Sequence, residues 1–136
     1  METIQFLKSV PSSKEGFAYT EKKWTLKQVA LHIVDCERIL SYRALCLARM
    51  ELKEFPGFDE DQYADNDFSE ERSLESICTE FGVVRNATIA LMQSLHPNAM
   101  DNLGIANTIS ISPRIMGWFI AGHNQHHLNV IKERYM

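Results

Sequence analysis

Met116-Gly117-Trp118-Phe119-Ile120-Ala121-Gly122-His123-Asn124-Gln125-His126-His127-Leu128-Asn129-Val130-Ile131 reads as an amphipathic helix with histidines set into its apolar stripe. Met116, Phe119, Ile120, His123, His127, Val130 and Ile131 recur at three- and four-residue intervals, the spacing that lines one face of a helix. His123 and His127 sit one turn apart and project the same way, so both rings are expected to point inward. Two neutral imidazoles so placed can grip one divalent cation without distorting the backbone. His126 lies roughly 60° around the helix from His123, at the margin of that face, and is a weaker candidate ligand. Ser112-Pro113 starts the helix with an N-cap followed by proline at the first helical position, where its missing N–H costs nothing.

A third ligand has to come from elsewhere, and Trp24-Thr25-Leu26-Lys27-Gln28 opens the helix that offers it. The Thr25 hydroxyl can accept from the Gln28 amide while the Gln28 side chain reaches back, a capping box, and Trp24 with Val29 suits a hydrophobic staple. Leu26, Val29, Ile33, Cys36, Leu40, Ala44 and Leu47 then form a helical stripe expected to run to about Lys53. His32, between Leu31 and Ile33, lies beside that stripe and should face the interior. Three buried imidazoles without partners would each carry a desolvation cost that a shared metal removes. His32, His123 and His127 are therefore the expected metal ligands, leaving a coordination position open for water or substrate, as in catalytic zinc sites. Asp35 is either an acceptor for an imidazole N–H behind the ligands or a solvated charge. Cys36 either packs in the core or closes a four-coordinate structural site.

Phe55-Pro56-Gly57-Phe58 stops this helix, and the acidic stretch Asp59 to Asp67 reads as an ordered loop without the spacing of a calcium-binding loop. A further helix is expected from near Ser69 to His96-Pro97, with Leu74, Ile77, Phe81, Val84, Thr88, Leu91 and Leu95 as a seam suited to antiparallel bundle packing. Asn98 to Ile111 reads as a connection able to pair briefly as a strand. A fourth helix can only come from Glu2 to Val10, with Ile4, Phe6, Leu7 and Val10, and it is at most about three turns long. So short a helix leaves part of the core groove uncovered, which predicts a homodimer.

The chain has 136 residues, a length that predicts one domain over 1–136. Hydrophobic residues make up 45% and charged residues 24%, average for a globular chain that folds around its own core. A formal charge of −4 with no basic cluster argues against nucleic-acid partners. The three cysteines, Cys36, Cys46 and Cys78, show no paired spacing and fit reduced thiols in a cytoplasmic protein. No stretch reads as a signal peptide or membrane span.

The chain resembles the DinB-like (damage-inducible protein B) superfamily of metal-binding helical bundles from about Tyr19 onward. The resemblance is carried by Lys23-Trp24-Thr25 leading into Leu31-His32-Ile33-Val34-Asp35, by Pro56-Gly57-Phe58-Asp59-Glu60, by Ile120-Ala121-Gly122-His123 with His126-His127-Leu128-Asn129, and by Glu133-Arg134-Tyr135. It implies an all-α four-helix bundle of up-down-down-up course, here with a shortened first helix and three long helices dominating. It also implies a divalent ion, zinc or nickel, on His32, His123 and His127, and often a dimer. The activity implied is that of a metal-dependent enzyme acting on a small molecule, with thiol S-transfer from a low-molecular-weight thiol among the reactions of similar proteins. A non-catalytic metal-binding or interaction module is the alternative.

Overall fold

The computed structural model, which describes residues 2–51 and 54–136, begins its longest helix where the capping box predicts. The Thr25 Oγ1 accepts from the Gln28 amide (3.2 Å) and the Gln28 side chain accepts from the Thr25 amide (2.9 Å). The helix expected to reach about Lys53 ends sooner, at Ala48, and Lys53 itself lies outside the described residues. The reason is local: Met50 turns left-handed (φ 62°), the Glu51 amide donates to the Cys46 carbonyl (2.9 Å) and the Met50 amide to the Leu47 carbonyl (3.1 Å). These two bonds are a Schellman cap, with methionine in the place glycine usually takes.

Four helices form the bundle: α1 (Glu2–Lys8), α2 (Leu26–Ala48), α4 (Leu74–Ser94) and α5 (Pro113–Arg134), with a short α3 (Glu60–Asp65) between α2 and α4. Pairings across the helices fix their directions. Arg38 meets Glu80, Glu37 meets Arg85 and Ser41 meets Thr88, so numbers rise together and α2 and α4 run parallel. His32 meets His123, while Leu40 and Leu47 share a core cluster with Met116 and Ile120, so α2 and α5 are antiparallel. On α1, Thr3 receives a hydrogen bond from Asn124 and Lys132 lies over the Phe6 ring, which aligns α1 with α5. The course is thus up-down-down-up. With α1 only seven residues long, a groove of about 240 Å³ lined by Ile89, Met92, Gly117 and Ile120 stays uncovered between α4 and α5.

Two expectations are corrected. The acidic stretch contains helix α3, capped by the Asp59 side chain accepting from the Gln62 amide (3.1 Å), because Glu60 and Asp61 suit the positive end of a helix. The next helix starts at Leu74, where Ser73 caps the Ser76 amide (3.2 Å). Ser69 instead opens a single 3-10 turn after Phe68, which is left-handed (φ 51°). The connection before α5 does pair: β2 (Gly104–Ala106) and β3 (Ile109–Ile111) form a hairpin, and β1 (Glu54–Phe55) joins β2 in parallel. Asn107 and Thr108 both take positive φ (49° and 67°), the two-residue turn that matches strand twist.

The apolar stripe of α2 is buried throughout and feeds two core clusters. One joins Leu26 to Val34 with Leu7, Ile77, Phe81, Ile131 and Tyr135; the other joins Leu40 to Leu47 with Phe55, Ala106, Ile111, Met116 and Ile120. Phe119, expected on the inner stripe of α5, is 54% exposed. Among the described residues no helix is long and apolar enough to cross a membrane.

Between α2 and α4, Glu37 is 2% exposed and takes a bidentate pair from Arg85 (2.7 and 2.8 Å). Replacing Glu37 with Ala is expected to cost about 3 kcal/mol in denaturant unfolding, because a half-buried guanidinium loses its bidentate partner, whereas exchanging both residues for Met restores most of it. A loss below about 1 kcal/mol for the single change would show that the pair does not hold these helices together.

Candidate metal centre

His32 comes from the second turn of α2, and His123 and His127 come from consecutive turns of α5. The antiparallel packing of the two helices brings the rings together between the two apolar clusters. Nε2 of His123 lies 3.0 Å from Nε2 of His32 and 3.1 Å from Nε2 of His127. The ligand nitrogens of all three fall within 4.8 Å of one another, so the group could hold one metal ion. Nitrogens at about 2.0–2.1 Å from a tetrahedral zinc stand about 3.3 Å apart, close to the spacing seen. His32 is buried, with only 7% exposed, and the other two are half-buried.

Burial sets the charge state of the rings. His32 is lowered from 6.5 to about 4 by desolvation first and the neighbouring His123 second. His127 is lowered to about 3 by desolvation and then by His123, His32 and His126, and His123 moves the same way for the same leading reason. Neutral imidazoles at pH 7 present the lone pairs a divalent cation requires. Trp24 closes one side, its ring 4.8 Å from that of His32 and its indole N–H donating to Asp61 (3.0 Å). Phe119, though exposed, stacks on His123 at 6.1 Å between centroids.

His126 is exposed and touches the centre only through its ring, 5.1 Å from that of His127. Asp35 is paired with Arg38 at 3.6 Å and lines a small pocket with His32, Glu60 and Tyr63. Its carboxyl is pushed up, chiefly by desolvation. Cys36 Sγ lies 3.6 Å from His32 Nε2, and it groups with His32 and Glu60 rather than with the pair on α5. Burial pushes its thiol up to about 12, so it is protonated at neutral pH. Glu60, at the first turn of α3, carried no signal of its own beyond following Asp59; it reaches the centre because α3 folds back over α2.

Two openings of different character meet the histidines. A cleft of about 530 Å³ borders His127 and carries Lys22, Lys23, Arg134, Tyr19 and Trp24. A cavity of about 260 Å³ borders His123 and Cys36 and is walled mainly by apolar side chains.

Comparison with known proteins agrees with this architecture. The model of the DinB superfamily matches residues 1–131, and the chain belongs to that superfamily. Among solved structures the chain is similar to YfiT from Bacillus subtilis, described as a probable metal-dependent hydrolase with an unusual four-helix bundle topology. The two share 17% identity and a TM-score of 0.79 over 97% of this chain and 77% of that one, a likeness of fold. No curated protein matches the sequence.

The charge states give a pH dependence with a definite sign. The unfolded chain takes up protons on these histidines near 6.5, whereas the folded chain refuses them on His32 and His127 until about 4 and about 3. Stability without added metal is therefore expected to be full above about pH 6.5 and to fall as pH drops from there toward 3–4. NMR titration of the ring protons checks it, and rings protonating near 6.5 in the folded protein would contradict the assignment.

Proposed function

We propose that this DinB-superfamily bundle is a metal-dependent enzyme, most directly a hydrolase of a small molecule, whose divalent ion, zinc or nickel, is held by His32, His123 and His127. The observation that carries the reading is the convergence of three neutral imidazole nitrogens within 4.8 Å at the floor of two openings. Bound there, such an ion supplies Lewis-acid polarisation of a substrate and a nucleophile at neutral pH.

The surrounding residues provide the rest. The helices fix the three rings, so little reorganisation accompanies binding. Trp24 and Phe119 restrict water around His32 and His123. Glu60, whose carboxylate oxygen lies within 4.8 Å of a His32 nitrogen and of Cys36 Sγ, is placed to accept a proton from the attacking group. Cys36 groups with His32 and Glu60 and not with the α5 pair, which supports an open coordination position over a sealed structural site.

A second reading, transfer from a low-molecular-weight thiol, is favoured by the cleft beside His127, where Lys22, Lys23 and Arg134 suit an anionic thiol compound. Parallel screens of ester and amide hydrolysis and of thiol-conjugate formation separate the two.

Zinc or nickel is expected to raise the unfolding free energy by about 2.7 kcal/mol at a hundredfold excess over Kd and to support turnover. His123→Ala removes both effects while leaving the fold intact by circular dichroism. Metal uptake that survives this change would refute the ligand set; uptake without turnover in either screen would leave the non-catalytic alternative standing in place of the enzyme.

A further inference from the structure

The cavity beside His123 has a chemical polarity that the proposed reaction does not require. At one end stand His123, Cys36 and Glu60; along its length are apolar walls that include Leu40, Ile111 and Met116. Arg43 also lines it, on the same helix as Cys36: their backbones are seven residues apart, about 10 Å along the axis of α2.

Arg43 is held but not neutralised. One guanidinium nitrogen donates to the Pro56 carbonyl (2.8 Å) and the group lies over the Phe55 ring at 6.0 Å. Among the described residues no carboxylate comes within ion-pair distance of it, in contrast to Arg38, Arg72, Arg85 and Arg114, each of which has an acid partner. Desolvation of this half-buried group pulls its pKa below the usual arginine value. A half-buried guanidinium without a carboxylate partner, in the wall of a largely apolar cavity, has unmet capacity for a planar anion with two acceptor oxygens.

We propose that this cavity binds an apolar carboxylic acid, its carboxylate on Arg43 and its chain along Leu40, Ile111 and Met116, with the opposite end delivered to the histidines. Arg43 is then a specificity-determining residue about two helical turns from the reacting end. The orientation of the ligand rests on the metal-enzyme reading above; the binding of the carboxylate to Arg43 does not.

The test uses octanoate and its uncharged counterpart octanol, titrated calorimetrically into the full chain, once treated with chelator and once loaded with zinc. Octanoate is expected to bind at least about tenfold more tightly than octanol in both preparations, the margin one charge-assisted pairing gives. Arg43→Met is expected to erase that preference without changing zinc uptake. Because Arg43 also holds the Pro56 carbonyl, Arg43→Lys is the control: it keeps a charge and a donor and should retain part of the preference. Equal binding of octanol and octanoate by the native chain overturns the proposal, as does a preference that survives Arg43→Met or is lost as completely in Arg43→Lys. Failure of zinc to bind would instead strike the metal centre and leave the carboxylate result to stand or fall alone.

Discussion

Where α2 and α5 pass each other in opposite directions, the apolar interior divides into two clusters, and three imidazole rings occupy the join. Rings inside a helical core would ordinarily be a defect, since each brings polar nitrogens that must find partners. Here they partner one another through Nε2 contacts of 3.0 and 3.1 Å, and burial keeps them uncharged. The join is held in register from both sides. Tyr135, buried at the end of α5, donates to the Trp24 carbonyl at the start of α2 (2.7 Å), and Met116 and Ile120 pack with Leu40 and Leu47 at the far end. A slip of either helix by one turn would break all of these contacts together.

Much of this could be read from residues alone, because helix starts and helix faces are local properties. Thr25 with Gln28, and Ser112 before Pro113, cap the amides their spacing implies. The α2 stripe is buried at every named position, and His32, His123 and His127 meet. Helix ends were less legible. Met50 in a left-handed cap has no signature comparable to glycine, so α2 stops before the apolar pattern suggests. Asp59 followed by Glu60 and Asp61 was a helix start masked by its lack of an apolar stripe, and Ser73 rather than Ser69 caps α4 because Phe68 turns the chain first. Glu60 and Arg43 were silent for a different reason: Glu60 meets His32 and Cys36 of α2, and Arg43 meets Phe55 and Pro56, across separations that no spacing along the chain encodes.

Chemically the centre is asymmetric. On the His127 side the wall carries lysines, an arginine and aromatic rings; on the His123 side it is mainly apolar, with Arg43 and Glu60 in it and a thiol that burial keeps protonated. The two openings therefore offer different surroundings to whatever enters them. The helices that carry the histidines contribute to that asymmetry themselves, with Cys36 and Arg43 on α2 and Arg134 on α5, beside residues from the connecting segments.

The parallel course of α2 and α4 has a consequence for how such a protein can diversify. Two adjacent helices running the same way cannot be linked by a tight turn, so the backbone must travel back along the bundle, and here the return path includes β1 and α3. That obligatory detour brings Phe58, Glu60 and Asp61 to the rim of the centre. Part of the wall around the centre is thus carried by a piece of chain separate from the helices that position the nitrogens. Insertions and substitutions in the detour can reshape the openings while the helices that position the three rings stay as they are.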